Sequence, residues 1–360
     1  EQAIRVYKRG MELQPDKNYN IQLARLYGDQ GDIELMFSNY IDYIESNPSF
    51  IHNAKRAFGD FLSEDSQSNN NQTLRKLVLK KLQASPEVYW YELLSWQYIQ
   101  ERAYSKAFVQ EKALYMRFPE SLNRLIELAT LALDDKEYEM SLEIFQYILD
   151  VAQDTETQLF AHQYRLDIMT ETATSKDYGA IQKAYLSLFN TYGATATTLA
   201  LQLSYANFLA FKLKQTTEAS NFLRETLKLK LAPFQEGSVK MLMADILVVQ
   251  EKFNEALIYY TQIQNNLKNS TLAQEARFKV AKTSFYKGDF EWAESQLNIL
   301  KAATSQLIAN DALELKLLIS DNKYDDTTQT ALKHYAKADL MAFQNNNSEA
   351  IVLLEKILTE

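Results

Sequence analysis

The sequence contains no cysteine in its 360 residues. Without thiols the chain cannot form disulfides, use a thiolate nucleophile or build the cysteine clusters that hold structural zinc. This absence excludes chemistry but does not locate the protein, because exported and cytosolic proteins can both lack cysteine.

Turn-forming residues are also scarce, with 8 glycines and 5 prolines in the whole chain. A β-sheet protein of this length would need many more of them at its turns. Hydrophobic residues make up 46% of the chain and charged residues 24%, so the chain can bury a large core and is not disordered. Because single hydrophobic cores stop growing near this length, we expect several domains or a stacked array of helices.

Positive charge is in deficit, since 38 Lys and Arg stand against 47 Asp and Glu, a net charge of −9. No run of Lys and Arg overrides this repulsion locally, so we expect no nucleic acid partner. No apolar run approaches the roughly 18 residues of a membrane span. The first residues include neither an initiator Met nor a signal-like apolar stretch, and we expect a chain cut from a longer one.

The first four prolines are regularly spaced. Pro15, Pro48, Pro86 and Pro119 lie 33, 38 and 33 residues apart. Each follows an amphipathic stretch, which proline can end but cannot occupy internally. Before Pro48, the anchor residue Met36 is followed by apolar residues four and seven positions later, which is one face of a helix, and the same frame recurs without a proline at Ala256 and Ala293. The anchors are Ala3, Met36, Leu74, Ala107, Ser141, Ala180, Ala219, Ala256, Ala293 and Ala350.

A second amphipathic stretch precedes the anchors, separated from them by a short polar turn such as DQGD or KGDF. Small residues stand twelve positions before several anchors, where two helices can cross closely. These small residues are Ala24, Ala129, Ala244 and Ala281. Each repeat therefore predicts a helical hairpin.

The spacings, with the alanine, aromatic and proline positions, resemble the tetratricopeptide repeat (TPR), whose period is about 34 residues. The resemblance spans nearly the whole chain and is closest around Met36, Ala256 and Ala293. It implies an all-α fold, a right-handed α-α superhelix (a TPR-like solenoid) of about nine to ten helical hairpins.

We expect one continuous solenoid in two parts. Residues 1–304 form tandem hairpins, with a polar insert at 63–72 between the helices of one of them. Residues 305–360 form irregular C-terminal helices, including a surplus helix in ANDALELKLLIS, and end in a partial hairpin. Neither end has a polar capping helix, so we expect a fragment of a longer bacterial repeat protein, or a homodimer through an uncapped end.

Groups that support catalysis are absent or scattered. His52, His162 and His334 belong to three different hairpins, which a one-dimensional stack keeps apart. No HExxH, GxSxG, GxGxxG or P-loop pattern occurs. The acidic pairs at 134–135 and 325–326 lie in turns, where carboxylates favour the start of the next helix. We therefore predict no catalytic, cofactor-binding or metal-binding residues, and a protein that is not an enzyme.

By the resemblance, the first helix of each hairpin lines a concave groove in which peptides bind. Residues on these helices but off the packing stripe are then the candidates for the groove: Arg25, Glu92, Trp96, Arg165, Met169, Phe208, Met241, Asp245, Phe278 and Lys282. The Lys and Asn donors with which chaperone adaptors of this family grip a terminal carboxylate are not matched in consecutive repeats. The apolar members instead favour apolar side chains or a partner helix as ligand.

The sequence thus predicts a non-catalytic scaffold that binds peptide or protein segments in the groove without a cofactor. Rigid stacked helices present their side chains with no ordering cost on binding. Two alternatives stay open: the helical arm of a larger enzyme, and a cell-envelope or secretion-associated lipoprotein of bacteria. The abundance of Asn, Lys and Ile leans towards the bacterial envelope, in the periplasm, without excluding the cytoplasm.

Overall fold

A computed structural model describes residues 1–300, 306–323 and 328–359. Every regular element in these ranges is a helix. By its internal contacts the chain divides into two units, Glu1–Ile168 and Met169–Glu360. The boundary predicted at 304/305 and the acidic pair at 325–326 lie outside the described residues.

The first unit consists of ten helices, of which the last continues past its end. They are α1 (Gln2–Leu13), α2 (Asn20–Asp29), α3 (Ile33–Ser46), α4 (Ile51–Gly59), α5 (Asn69–Ala84), α6 (Val88–Gln100), α7 (Tyr104–Arg117), α8 (Asn123–Asp134), α9 (Tyr138–Val151) and α10 (Thr155–Thr172). A 3₁₀ turn at Pro48–Phe50 leads into α4.

The second unit contains the remaining helices of the described residues. They are α11 (Tyr178–Tyr192), α12 (Leu199–Asn207), α13 (Thr216–Thr226), α14 (Pro233–Val249), α15 (Phe253–Asn266), α16 (Thr271–Tyr286), α17 (Phe290–Ile299), α18 (Gln306–Asn322), α19 (Thr330–Phe343) and α20 (Asn347–Thr359). A π-helical turn, Phe208–Lys212, extends α12. The predicted surplus helix is α18.

Consecutive helices pack in pairs, as the hairpin pattern predicts. Within the described residues the two helices of a hairpin are in close contact in α2 with α3, α6 with α7, α8 with α9, α12 with α13, α14 with α15, α16 with α17, and α19 with α20, and α15 also packs closely against α16 of the next hairpin. First helices also contact the first helices of neighbouring hairpins, α4 with α6 in one unit and α12 with α14 and α14 with α16 in the other.

The turns inside the hairpins share one backbone conformation. A residue in each lies in the left-handed region, which glycine adopts at least cost. The left-handed residues in four of these turns are Gly31, Lys136, Glu251 and Gly288, with φ of 78°, 64°, 57° and 83°. Asp32 and Asp289 then cap the following helix by accepting hydrogen bonds from the backbone N–H groups of Leu35 and Trp292.

The anchor frame matches the observed core in eight of its ten positions. The exceptions are Ala3 and Ala180, which are exposed, whereas the residues that follow them, Ile4 and Ile181, are buried. In α1 and α11 the buried stripe is therefore one residue later than predicted, because a bulkier apolar side chain stands beside the alanine and takes the core position.

The predicted polar insert, residues 63–72, is fastened to the hairpin stack rather than left free. The fully buried Asn71 donates from Nδ2 to the carbonyl of Ser63 at 2.8 Å and accepts from the Ser63 N–H at 3.2 Å. Asn71 also donates to Glu101, which directly follows α6 and whose carboxylate lies 2.7 Å from Arg75. Buried polar groups are stable only when paired in this way.

Candidate functional site

In the first unit the predicted groove residues lie on the first helices of the hairpins. Arg25, on α2, is exposed. Glu92 and Trp96 on α6, and Arg165 on α10, are partly buried. Trp96 packs against the hydrophobic core, so only part of its ring is accessible to a ligand.

Side chains of opposite charge link consecutive first helices in this unit. Lys55 Nζ on α4 lies 2.9 Å from Glu92 Oε1, and Arg124 Nη1 on α8 lies 3.3 Å from the same oxygen. The side chains of Lys55 and Glu92 are only 16% and 19% exposed, so water screens their attraction weakly. We call Lys55, Glu92 and Arg124 the charge ladder.

Two members of the charge ladder, Glu92 and Arg124, have pKa values shifted in the direction that favours their charged forms. Burial alone would raise the pKa of Glu92, but the charges of Lys55 and Arg124 and their hydrogen bonds outweigh burial and lower it. Arg124 also forms a bidentate pair with Glu111, with Nε–Oε2 and Nη2–Oε1 distances of 2.8 and 2.7 Å. Burial would lower the pKa of Arg124, yet Glu111 and Glu92 raise it. Glu92 therefore holds the hairpins together, with its carboxylate already occupied.

In the second unit two predicted groove residues are buried. Phe208 is fully buried where α12 gives way to the π-helical turn, and its ring packs against Tyr178 and Tyr185 of α11 at centroid distances of 5.7 and 5.9 Å. Met241 is 7% exposed. The prediction that these side chains are accessible to a ligand is therefore wrong for Phe208. Only a small part of the Met241 side chain is accessible. Met169 and Phe278 are partly buried.

Asp245 lies at the junction of three helices. Its Oδ2 is 2.6 Å from Lys279 Nζ on α16, and its Oδ1 accepts a hydrogen bond of 2.5 Å from the Tyr260 hydroxyl on α15. Burial and then the charge of Asp245 raise the pKa of Tyr260 well above its ordinary value, so the hydroxyl remains a donor. The arrangement places an ion pair between neighbouring first helices, as the charge ladder does in the first unit.

An open cleft of about 370 Å³ lies over the first helices α12, α14 and α16. Its walls combine partly exposed leucines with hydroxyl, amide and charged groups. The lining residues are Leu203, Ser204, Asn207, Ser238, Met241, Leu242, Asp245, Leu272, Glu275 and Lys279. We call this the α12–α14–α16 cleft. Met241 and Asp245, both predicted groove residues, lie in it.

The C-terminal hairpin packs back onto the same first helices. Lys282 on α16 forms an ion pair with Asp339 on α19. The ring of Phe343, at the end of α19, lies 6.0 Å from Phe211 and 6.3 Å from Tyr286. Lys282, a predicted groove residue, is therefore engaged by a later helix of the chain.

The turn after α19 continues this contact. Gln344 Nε2 donates to the carbonyl of Val249, the last residue of α14, at 3.1 Å, and Lys214 Nζ lies 3.2 Å from Asn346 Oδ1. Leu332 joins the core formed by α16, α17 and α18. The α19–α20 hairpin thus lies across the C-terminal ends of α12, α14 and α16.

The groove prediction missed Lys55, Arg124, Lys279 and Asp339. The polar insert displaces α4 from the spacing of the anchors, which hides the equivalence of Lys55 and Arg25, although Ala54 before Lys55 is fully buried as Ala24 before Arg25 is. A signal was present, because opposite charges at 55 and 92, 92 and 124, and 245 and 279 lie one repeat apart. No such spacing exists for Asp339.

The described ranges contain no cluster of three or more His, Asp or Glu side chains placed to hold a metal ion. The histidines lie on α4, α10 and α19. At the acidic pair 134–135, Asp135 accepts a hydrogen bond of 2.6 Å from the Tyr104 hydroxyl. Among the helices that the structure describes, none is long and apolar enough to cross a membrane.

The helix pairs and their turns define the class: an all-α chain of tandem TPR-like hairpins, as the spacing predicts. No family model and no curated protein matches the sequence.

Solved structures with a similar arrangement include a tetratricopeptide repeat protein from Parabacteroides merdae ATCC 43184, at 11% identity and a TM-score of 0.45, covering 77% of this chain and 98% of that one. The Rap protein complexed with Competence and Sporulation Factor matches at 10% identity and a TM-score of 0.43, covering 88% of this chain and 97% of that one. Naa15/Naa10 bound to HypK-THB matches at 13% identity and a TM-score of 0.35, covering 99% of this chain and 62% of that one. These values are low, so function has to be argued from the site.

Proposed function

We propose that the protein is a non-catalytic scaffold and that the α12–α14–α16 cleft binds a segment of a partner protein. The observation that carries the proposal is the cleft itself, where Leu203, Leu242 and Leu272 from three successive first helices remain partly exposed. Partly exposed leucines beside hydroxyl and amide groups suit a peptide, which presents apolar side chains and backbone hydrogen-bonding groups together.

The polar groups of the cleft favour a partner that brings few charges of its own. Asp245 and Lys279 neutralise each other, which leaves Glu275 as the remaining lining charge. Lys279 also lies 3.8 Å from Glu275 and partly offsets it. Binding in the cleft then depends mainly on apolar contact, and the rigid helices pay little ordering entropy.

Photo-crosslinking tests the proposal without knowledge of the partner. A photoreactive phenylalanine replaces Leu242 in the cleft or, as a matched control, the 58% exposed Ile258 on α15. In extracts of the source cells we expect protein adducts from position 242 and few from position 258, and Leu203→Glu in the same chain should abolish them. Equal labelling from the two positions, or adducts that survive Leu203→Glu, would contradict the proposal.

A melting curve for each variant shows whether the fold is intact. Leu203 and Leu242 are chosen because both are partly exposed, whereas a charge at the fully buried Phe208 would disrupt the core. The enzyme-arm and envelope alternatives remain predictions, and the identity of the adducts addresses them directly.

A further inference from the structure

The face of α12, α14 and α16 that lines the cleft continues towards the C-terminal ends of these helices, where the α19–α20 hairpin lies on it. On each helix a cleft residue is followed, three or four positions later, by a residue in contact with the hairpin, which is one turn along the same side. These pairs are Asn207 and Phe211, Asp245 and Val249, and Lys279 and Lys282. The cleft and the part under the hairpin therefore belong to one face.

Four residues of this face contact the hairpin, and we call them the covered surface: Phe211, Val249, Lys282 and Tyr286. Tyr286 links the covered surface to the cleft. Burial first, and then the charges of Asp339 on α19 and Asp245 in the cleft, raise the pKa of its hydroxyl. A segment bound in the cleft is therefore a direct neighbour of the end of α19.

The hairpin is held firmly at its start and weakly at its end. Leu332, in the first turn of α19, joins the core of α16, α17 and α18. In α20, by contrast, Ala350 is the one buried residue among those whose side chains the structure describes, and Ile351, Val352 and Leu358 are 54%, 66% and 87% exposed. Lifting α20 with the end of α19 therefore exposes little additional apolar surface.

The covered surface is shaped for a helix that carries an aromatic residue. The ring of Phe343 lies between those of Phe211 and Tyr286, at centroid distances of 6.0 and 6.3 Å. Phe211 belongs to the π-helical turn, a distortion that is frequent at functional sites. An amphipathic helix laid into a groove is a common mode of peptide recognition.

We propose that the partner segment is an amphipathic helix that occupies the whole face, with an aromatic ring in the place of Phe343, and that the α19–α20 hairpin competes with it for the covered surface. The inference rests on the proposed function of the cleft and adds the kind of segment and its regulation. In the free protein the hairpin is closed, so the affinity for the segment is reduced in proportion to the fraction of open molecules.

Binding to an opened chain tests the competition. The probe is a peptide selected from a random dodecapeptide library on the Phe343→Ala chain, and it is kept only if Leu203→Glu in that chain abolishes its binding. We expect such peptides to share an aromatic residue. Wild type should bind them roughly five- to a hundredfold more weakly than Phe343→Ala, because more of its molecules are closed.

Two further variants keep this comparison decisive. Asp339→Asn weakens the contact of α19 with Lys282 without touching an aromatic ring, so it should also bind the peptide more tightly than wild type. Lys337→Ala changes an exposed residue of the same helix and should bind it as wild type does. Melting curves show that each chain is folded.

A reversible lock tests the same point in the opposite direction. The chain has no cysteine, so Lys214→Cys and Asn346→Cys introduce one reactive pair at a contact of 3.2 Å between Nζ and Oδ1. In the Phe343→Ala chain, a short bismaleimide linker with an internal disulfide should then abolish peptide binding, and reduction of the linker should restore it. Chains with either cysteine alone, treated in the same way, should bind throughout.

The outcomes separate this inference from the proposed function. If wild type, Phe343→Ala and the locked chain bind a Leu203-dependent peptide equally, the cleft proposal stands and the competition is overturned. Leu203-dependent peptides without a shared aromatic residue would overturn the assignment of the covered surface to the partner. If no selected peptide depends on Leu203, the cleft proposal fails and the competition fails with it.

Discussion

Several charged residues on the first helices stabilise the packing of the hairpins and are therefore not free to bind a ligand. The charges of Glu92, Asp245 and Lys282 are all engaged by other parts of the chain. A half-buried charge requires a partner, and in a repeat array the nearest candidate lies on the neighbouring hairpin. The side chains that stay open to a ligand are consequently the exposed Arg25 and the partly exposed leucines of the α12–α14–α16 cleft.

The charge ladder predicts a pH-dependent loss of stability. In Glu92→Gln the cations of Lys55 and Arg124 lose the carboxylate between them, so the free energy of unfolding should fall by about 1–3 kcal/mol at pH 7. The folded-state pKa of Glu92 is lowered, so its contribution is complete above the unfolded value of about 4.3 and is lost as pH falls through the folded-state pKa. Urea unfolding of both proteins from pH 7 down to pH 3 measures the difference.

The matched control for this substitution is Glu64→Gln. Glu64 pairs with Arg102 at 3.1 Å, but the two side chains are 69% and 55% exposed, and exposed pairs contribute little. Its effect should stay below about 1 kcal/mol at every pH. A Glu92→Gln difference that is as small, or that grows towards acidic pH, would show that the ladder does not stabilise the folded state.

Residue positions were predictable where helical periodicity alone decides them. Ala24, Ala129, Ala244 and Ala281 are all fully buried, as their spacing predicts. Phe208 was not predictable in this way, because the π-helical turn at its position departs from the α-helical period on which the frame depends.

At the scale of elements, the hairpins could be predicted from the sequence, but the position in which the last hairpin packs could not. A hairpin needs only apolar stripes and a turn signal, which are local in sequence. The position in which the α19–α20 hairpin packs depends on contacts between residues that are 95 and 132 positions apart in sequence. These contacts are Gln344 with Val249 and Lys214 with Asn346. No periodicity marks contacts of this kind.

The packing of α19 against the helices before it can be weakened selectively. Phe343→Ala removes two aromatic contacts, to Phe211 and Tyr286, each of about 0.5–1.5 kcal/mol. Local opening of α19 and α20 should rise roughly five- to a hundredfold, seen as faster amide hydrogen exchange in these helices, with α14 less affected. Lys337→Ala, an exposed change on the same helix, should leave exchange unaltered. Equal exchange in Phe343→Ala and wild type would show that the aromatic contacts do not hold the hairpin.

At the scale of the whole molecule, a stack of hairpins distributes its stability differently from a globular domain. Each hairpin contacts mainly its neighbours, so stability is approximately a sum of local terms and interfaces. The fold class could be predicted from this repetition. The ligand cannot be predicted in the same way, because the residues that would identify it lie outside the repeating pattern. Damage to one hairpin should then spread along the stack in a graded way.

A cavity in α4 tests this graded response within the first unit. Phe58 is fully buried and its ring lies 5.0 Å from Phe37 and 5.7 Å from Tyr40 on α3, so Phe58→Ala should cost about 3–5 kcal/mol. Because α4 contacts α3 and α6, we expect hydrogen-exchange protection to fall most in these helices and least in α8 and α9. Leu35→Ala, which truncates a 39% exposed leucine on α3, is the control and should leave protection unchanged. If α3 and α9 lose protection equally in Phe58→Ala, the unit unfolds as one cooperative domain and nearest-neighbour stacking does not describe it.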